Sequence, residues 1–151
     1  MKDSFSPNMQ RRAWMSVLAK APEGRVTALL DTMGARPDFT WLRAPEIGSA
    51  MVRGRAGATG GAFNLGEVTV TRCALSLPSG EVGHAYIKGR RKACAEAAAL
   101  VDGLMQTAQA EAVQTHIIDP LEAEQQAARA ARAAKAAATK VDFFTMVRGE
   151  D

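Results

Sequence analysis

His84 and His116 are the only imidazoles in this 151-residue chain, and they limit the acid–base chemistry it can carry. They form no His-x-x-x-His pair. Nor is there a Gly-x-Ser-x-Gly elbow or a Gly-x-x-x-x-Gly-Lys loop to supply a nucleophile or hold a triphosphate. Glu67 and His84 fall on neighbouring predicted strands; a carboxylate–imidazole dyad is one reading, and a hydrogen-bonded structural histidine is the other. Cys73 and Cys94 stand 21 positions apart without a Cys-x-x-Cys companion, which points to neither a zinc ribbon nor a redox pair. Both are expected to be core thiols. No catalytic residue and no metal ligand is assigned from sequence.

Two basic features could hold an anion. Gly89-Arg90-Arg91-Lys92 opens a predicted helix, where backbone N–H groups and the charges of Arg90, Arg91 and Lys92 would converge on a phosphate. Arg53 and Arg55 alternate onto one face of a predicted strand beside the glycine-rich stretch Gly57 to Phe63, so a phosphate-bearing ligand lying between the two groups is one expectation. A solvated helix start paired with nearby acids is the other. Gly57, Gly60 and Gly61, with Phe63 closing the loop, form a candidate contact surface, because glycine there lets a ligand or another backbone approach closely.

The chain is long enough for one domain. The apolar fraction of 47% includes 30 alanines and only eight aromatic residues, so a thin self-made core is expected, with partners completing the fold. A net charge of +3, with 16 acidic residues interspersed among 19 basic ones, is no nucleic-acid signature by itself. No apolar stretch is long enough to span a bilayer, and the first residues carry no apolar leader segment; a reducing cytoplasm is the expected location.

The periodicity predicts an α+β fold. A helical hairpin covers about 7–34, with Trp14, Val17, Leu18 and Ala21 on one face of the first helix and Val26, Leu29, Leu30 and Met33 along one face of the second, making an apolar seam. An antiparallel sheet of about four strands follows over about 39–88, the first two strands separated by Pro45 and Gly48. Val68 and Val70 lie on one face of the strand after the glycine loop and Leu75 and Leu77 on the other, which predicts a bulge near Arg72 or cover on both faces. Two long helices occupy about 90–140. Asp119-Pro120-Leu121-Glu122 reads as a capping box opening the second, an alanine-rich arm with little to bury. A terminal strand over about 141–148 carries Phe143, Phe144 and Met146, which are candidates for partner contact.

Three long stretches, GATGGAFNLGEVTVTRC, GHAYIKGRRKACAEAAALVDGL and ATKVDFFTMVRGE, resemble the G subunit of the bacterial phosphonate carbon–phosphorus lyase system, the PhnG family. RRAWMSVLAKA and LRAPEIGSAMVRGRAGATG resemble the same family, so the likeness covers about Arg11 to Glu150. The resemblance implies a subunit of a core complex that converts MgATP and an alkylphosphonate to a ribose 1-phosphonate 5-triphosphate with release of adenine. PhnI is implied as the first partner, with PhnH and PhnJ. The iron–sulfur cluster and S-adenosylmethionine of the later carbon–phosphorus cleavage belong, by the same resemblance, to another subunit, so no cofactor is expected on this chain. It carries over no catalytic residue. The rival from the residues alone is a small basic nucleic-acid-binding module, weakened by having only Phe63 and Tyr86 near the sheet to stack on bases.

Overall fold

The computed structural model describes residues 7–141, and their order is α1 (Pro7–Ala19), α2 (Arg25–Thr32), β1 (Thr40–Arg55), β2 (Ala62–Ser76), β3 (Val82–Lys88), α3 (Lys92–Leu104), α4 (Ala110–Val113) and α5 (Asp119–Ala137). The α+β class stands. The sheet is an antiparallel meander in the order β1-β2-β3, so it has three strands among the described residues, not about four. The two segments expected on either side of Pro45 are one strand, because the irregularity is absorbed within it. The register against β2 slips between Arg43 and Glu46, which places Ala44 and Pro45 in a bulge where proline's missing N–H is no loss to the ladder. The bulge expected near Arg72 therefore sits on the facing strand, while β2 keeps unbroken register with β3 from Val70 to Ser76.

One face of the sheet is covered. Thr71, Cys73 and Leu75 of β2, Leu77 just after it, and Ala85 and Ile87 of β3 face α3 and are buried, while Arg72, Ala74, His84 and Tyr86 face the other way. α3 is the centre of the molecule: Ala95, Ala97, Ala98, Ala99, Leu100, Val101, Gly103 and Leu104 are all buried, between the sheet on one side and α1 and α2 on the other. Its alanines are small so that the helix can lie close to the sheet. A Cβ placed on Gly83 of β3 would come within 1.9 Å of the Ala99 carbonyl oxygen, so helix and strand backbones meet there without side chains between them. Around this contact Leu18, Val26, Leu30, Val113, Ile117, Ile118 and Leu121 complete a single core, with Trp14, Phe39 and Trp41 packed on its rim. The expectation of a thin core is corrected for this body: alanine contributes by close approach, where dispersion contacts replace bulk.

The last helix begins at Asp119, where the sequence placed it, but Asp119 does not cap it. Asp119 has helical angles (φ −60°, ψ −46°), and the chain reaches it already coiled through α4 and a π-helical turn, Gln114–Ile118. Pro120 explains the wide turn. Inside a helix its ring displaces the carbonyl four residues back, and the path accommodates this when the Asp119 N–H bonds five back, to Gln114 O. The Asp119 carboxylate accepts from Gln114 Nε2 at 2.6 Å and caps nothing. The terminal strand, with Phe143, Phe144 and Met146, lies outside the described residues.

Candidate functional site

β1 and β2 outrun β3. Pairing with β3 stops at Val70, whereas β1 and β2 continue together to Arg55 and Ala62, so the end of the hairpin projects as a two-stranded arm. Alternation gives the arm two unlike faces. Gly48, Ala50, Val52 and Gly54 share one face with their partners Val70, Val68, Gly66 and Phe63, whereas Ser49, Met51, Arg53 and Arg55 share the other with Thr69, Glu67, Asn64 and Ala62. A register slip between Val52 and Arg53 adds Leu65 to the first face, its Cδ2 lying 4.0 Å from where a Gly54 Cβ would be. That face is apolar and uncovered at its end, with Phe63 and Leu65 exposed by 45% and 66%.

The loop at the tip is built by its glycines in two different ways. Gly57 adopts φ +58° and is followed by Ala58 at φ +65°, while a Cβ on Gly60 would sit 2.8 Å from Ala56 O. Gly61 has open space around it. Arg55 Nη1 donates to Gly60 O at 3.0 Å and so ties the strand end to the loop.

The second basic group is elsewhere. Gly89 bonds back to Thr69 O through its N–H, and the buried Thr71 hydroxyl donates to Gly89 O at 2.6 Å and accepts from the Arg91 N–H at 3.0 Å. Thr71 thus fixes the turn from β3 into α3, and the Gly89 and Arg91 amides are engaged with β2. Thr71 pairs with Ile47, six residues along β1 from Arg53, a separation of about 20 Å at the usual strand rise. The structure therefore brings Arg53 and Arg55 together with the glycine loop, and Arg90, Arg91 and Lys92 together at the start of α3, as two separate groups. Glu67 and His84 are apart as well: Glu67 pairs with Met51 on the arm, and His84 pairs with Ala74 seven residues away on β2 and on the opposite face. No group of three or more His, Cys, Asp or Glu side chains among the described residues could hold a metal ion.

α5 forms the other projection. Leu121 is fully buried, Arg25 Nη2 meets Glu124 Oε1 at 2.6 Å, and Gln125 Nε2 donates to Val17 O at 2.8 Å. From Gln126 to Val141 every residue is exposed. The Arg25 hydrogen bond holds the Glu124 carboxyl below its ordinary range, so this root contact is present above the carboxyl's unfolded pKa and is lost as pH falls through the lowered one.

Sequence reasoning missed the most heavily bonded carboxylate among the described residues. Asp102, at 0% exposure, accepts from Arg11 Nη2 (2.7 Å), Arg11 Nε (3.2 Å), Trp14 Nε1 (2.9 Å) and the His84 backbone N–H (2.8 Å). Arg11 also donates to Val82 O at 2.8 Å, and Gln106 Nε2 does so at 2.9 Å. The cluster closes the free edge of β3, whose amide and carbonyl would otherwise offer themselves to another strand. An aspartate inside the run AAALVDGL was the available signal, together with Arg11 and Trp14 spaced i, i+3 on the helix that must face it.

Cys73 is buried, and burial pushes its thiol up to about 11, with the Glu96 carboxylate adding to the shift. The thiol form is favoured in the fold, so this contribution to stability is fully present below the ordinary value of 9.0 and is lost as pH rises through about 11. Iodoacetamide at mildly alkaline pH should label the half-buried Cys94 and leave Cys73 unmodified until the protein is denatured, as peptide mass analysis would show.

Two comparisons bear on this geometry. The sequence profile of the family described as "Phosphonate metabolism protein PhnG" matches residues 9–149. A curated protein of Rhizobium meliloti (strain 1021), the alpha-D-ribose 1-methylphosphonate 5-triphosphate synthase subunit PhnG, is 44% identical over 146 residues, covering 94% of this chain and 91% of that protein. The match takes in α1, the whole sheet with its projecting hairpin, and the helical arm, and on that evidence the chain belongs to the PhnG family.

Proposed function

We propose that this chain is a docking subunit of a ribose 1-methylphosphonate 5-triphosphate synthase acting in phosphonate breakdown, with PhnI as its first partner and PhnH and PhnJ in the same assembly. The observation that carries the reading is the hairpin arm: it exposes Phe63 and Leu65 on one continuous apolar face, although the body behind it has a complete core of its own. Exposed apolar surface on a projecting element marks a place where another protein sits. Among the described residues Arg53, on the arm's opposite face, makes no ion pair, and Arg55 bonds only the loop carbonyl, so carboxylates on a partner would meet cations there. Phe143, Phe144 and Met146 belong to the same proposal, as does a contact for the exposed length of α5. The relative named above is a synthase subunit, which supports an assembly in which the nucleotide chemistry and any iron–sulfur or S-adenosylmethionine chemistry are supplied by other chains.

The test is co-expression of the full chain with tagged PhnI from the same source. Stoichiometric co-purification through size exclusion is expected. A monodisperse chain that elutes alone in the presence of PhnI, PhnH and PhnJ would overturn the reading.

A further inference from the structure

The uncovered face of the sheet carries a second feature, independent of which chains the arms engage. Two rows of side chains cross the three strands there: Glu46, Arg72 and Tyr86 in one, and Arg43, Ala74 and His84 in the next. Ala74 is the floor. Arg43 and His84 stand on either side of it, about 10 Å apart at two strand spacings, and Arg72 and Tyr86 rise beside them. Met15 of α1 closes the rim of a cavity of about 390 Å³, within the range of small-molecule sites.

The charges in this cup do not cancel. Glu46 accepts from Arg72 Nε at 2.6 Å and lies 3.7 Å from Arg43 Nε, so one carboxylate serves two guanidinium groups. Both arginines are about half exposed, with N–H groups left over. His84 is held from behind: its backbone N–H donates to the buried Asp102 carboxylate at 2.8 Å, and Arg11 Nη2 stands 3.2 Å from its ring Nδ1. Two guanidinium groups and an imidazole therefore surround a small floor, and the Tyr86 ring, 48% exposed, makes one wall. Donors so placed suit a tetrahedral oxyanion, and the wall suits the organic group attached to it.

We propose that this cup binds the phosphoryl group of a small organic phosphate or phosphonate. The arginines carry the charge of the oxyanion, His84 donates to it, and Tyr86 packs on the ligand's organic part. The cup opens on the same side of the sheet as the apolar face of the arm.

The experiment uses the full chain with ¹⁵N-labelled histidine, titrated with inorganic phosphate, methylphosphonate and ribose 5-phosphate. His84 and His116 are the only labelled residues, so the His116 ring is the internal control. A saturable shift of the His84 resonance, no shift of His116, and tighter binding of ribose 5-phosphate than of inorganic phosphate are expected. The double substitution Arg43→Gln, Arg72→Gln should weaken binding of all three by at least about tenfold. Tyr86→Ala should weaken ribose 5-phosphate while leaving inorganic phosphate unchanged. Ala74→Leu, which fills the floor and keeps every charge, should also abolish binding and serves if the double variant fails to fold. No saturable shift, equal shifts at both histidines, unchanged affinity in the arginine and Ala74 variants, or a Tyr86→Ala variant that binds every ligand as before would each overturn the proposal.

Discussion

Gly83→Ala should destabilise the fold by about 3 kcal/mol or more, a drop in Tm of roughly 10 °C for a domain of this size. The added methyl would stand 1.9 Å from Ala99 O, 2.9 Å from Ala99 C and 2.9 Å from Gly103 N. All three are helix backbone, which cannot swing aside as a side chain can. α3 would have to lift from β3, and its buried face from Ala95 to Leu104 would lose contact along the whole crossing. Gly66→Ala is the control: nothing lies within 4 Å of a Cβ there and the backbone angle is ordinary, so its thermal denaturation should match the parent within a degree or two. Equal melting of the Gly83 and Gly66 variants would mean that α3 does not lie on β3 as described.

Asp102→Ala is the second large effect, at about 3 kcal/mol. The substitution leaves the Trp14 indole N–H and the His84 amide without acceptors, and it frees Arg11, which is 30% exposed and can turn to water. That escape keeps the cost at the lower end of what breaking a buried pair entails. Arg11→Ala should be comparably damaging for the opposite reason, since the carboxylate it deserts is fully buried. Asp102→Asn retains an acceptor oxygen and should recover part of the loss. Because the cluster also seals the edge of β3, Asp102→Ala should raise the tendency to aggregate near its melting temperature, measured by light scattering. If Asp102→Ala melts with the parent and stays clear, the cluster is not holding α1 to the sheet.

How far the fold could be read in advance depended on whether bulk or contact geometry decided each element. α1 and α2 follow from apolar spacing that Trp14, Leu18, Val26 and Leu30 mark plainly, and each of these residues packs inward. Pro45 interrupts a ladder and so divides β1 in the sequence pattern, and only pairing with β2 shows that a bulge absorbs it. The alanines of α3 carry little bulk of their own; their purpose depends on Gly83 of the preceding strand, and only the packing of helix on strand shows that the two meet backbone to backbone. Asp119-Pro120-Leu121-Glu122 carries a local cap signal, overridden by buried Val113, Ile117 and Ile118, which keep the preceding segment coiled. The glycine loop was visible as a loop. Its separation from the Arg90 turn was not, since that distance is set by how far β1 and β2 outrun β3. The oxyanion cup was out of reach for the same reason: Arg43, Arg72 and His84 are scattered in sequence and meet only through cross-strand pairing.

The central claim is that the body folds unaided and that the apolar face of the hairpin is there for another chain. Phe63→Asp with Leu65→Asp tests it most directly, with thermal denaturation of the isolated chain and co-purification with PhnI measured on the same variant. The account predicts an unchanged Tm and a lost complex. A lowered Tm with the complex retained would show that the face belongs to the chain's own core, and would contradict it.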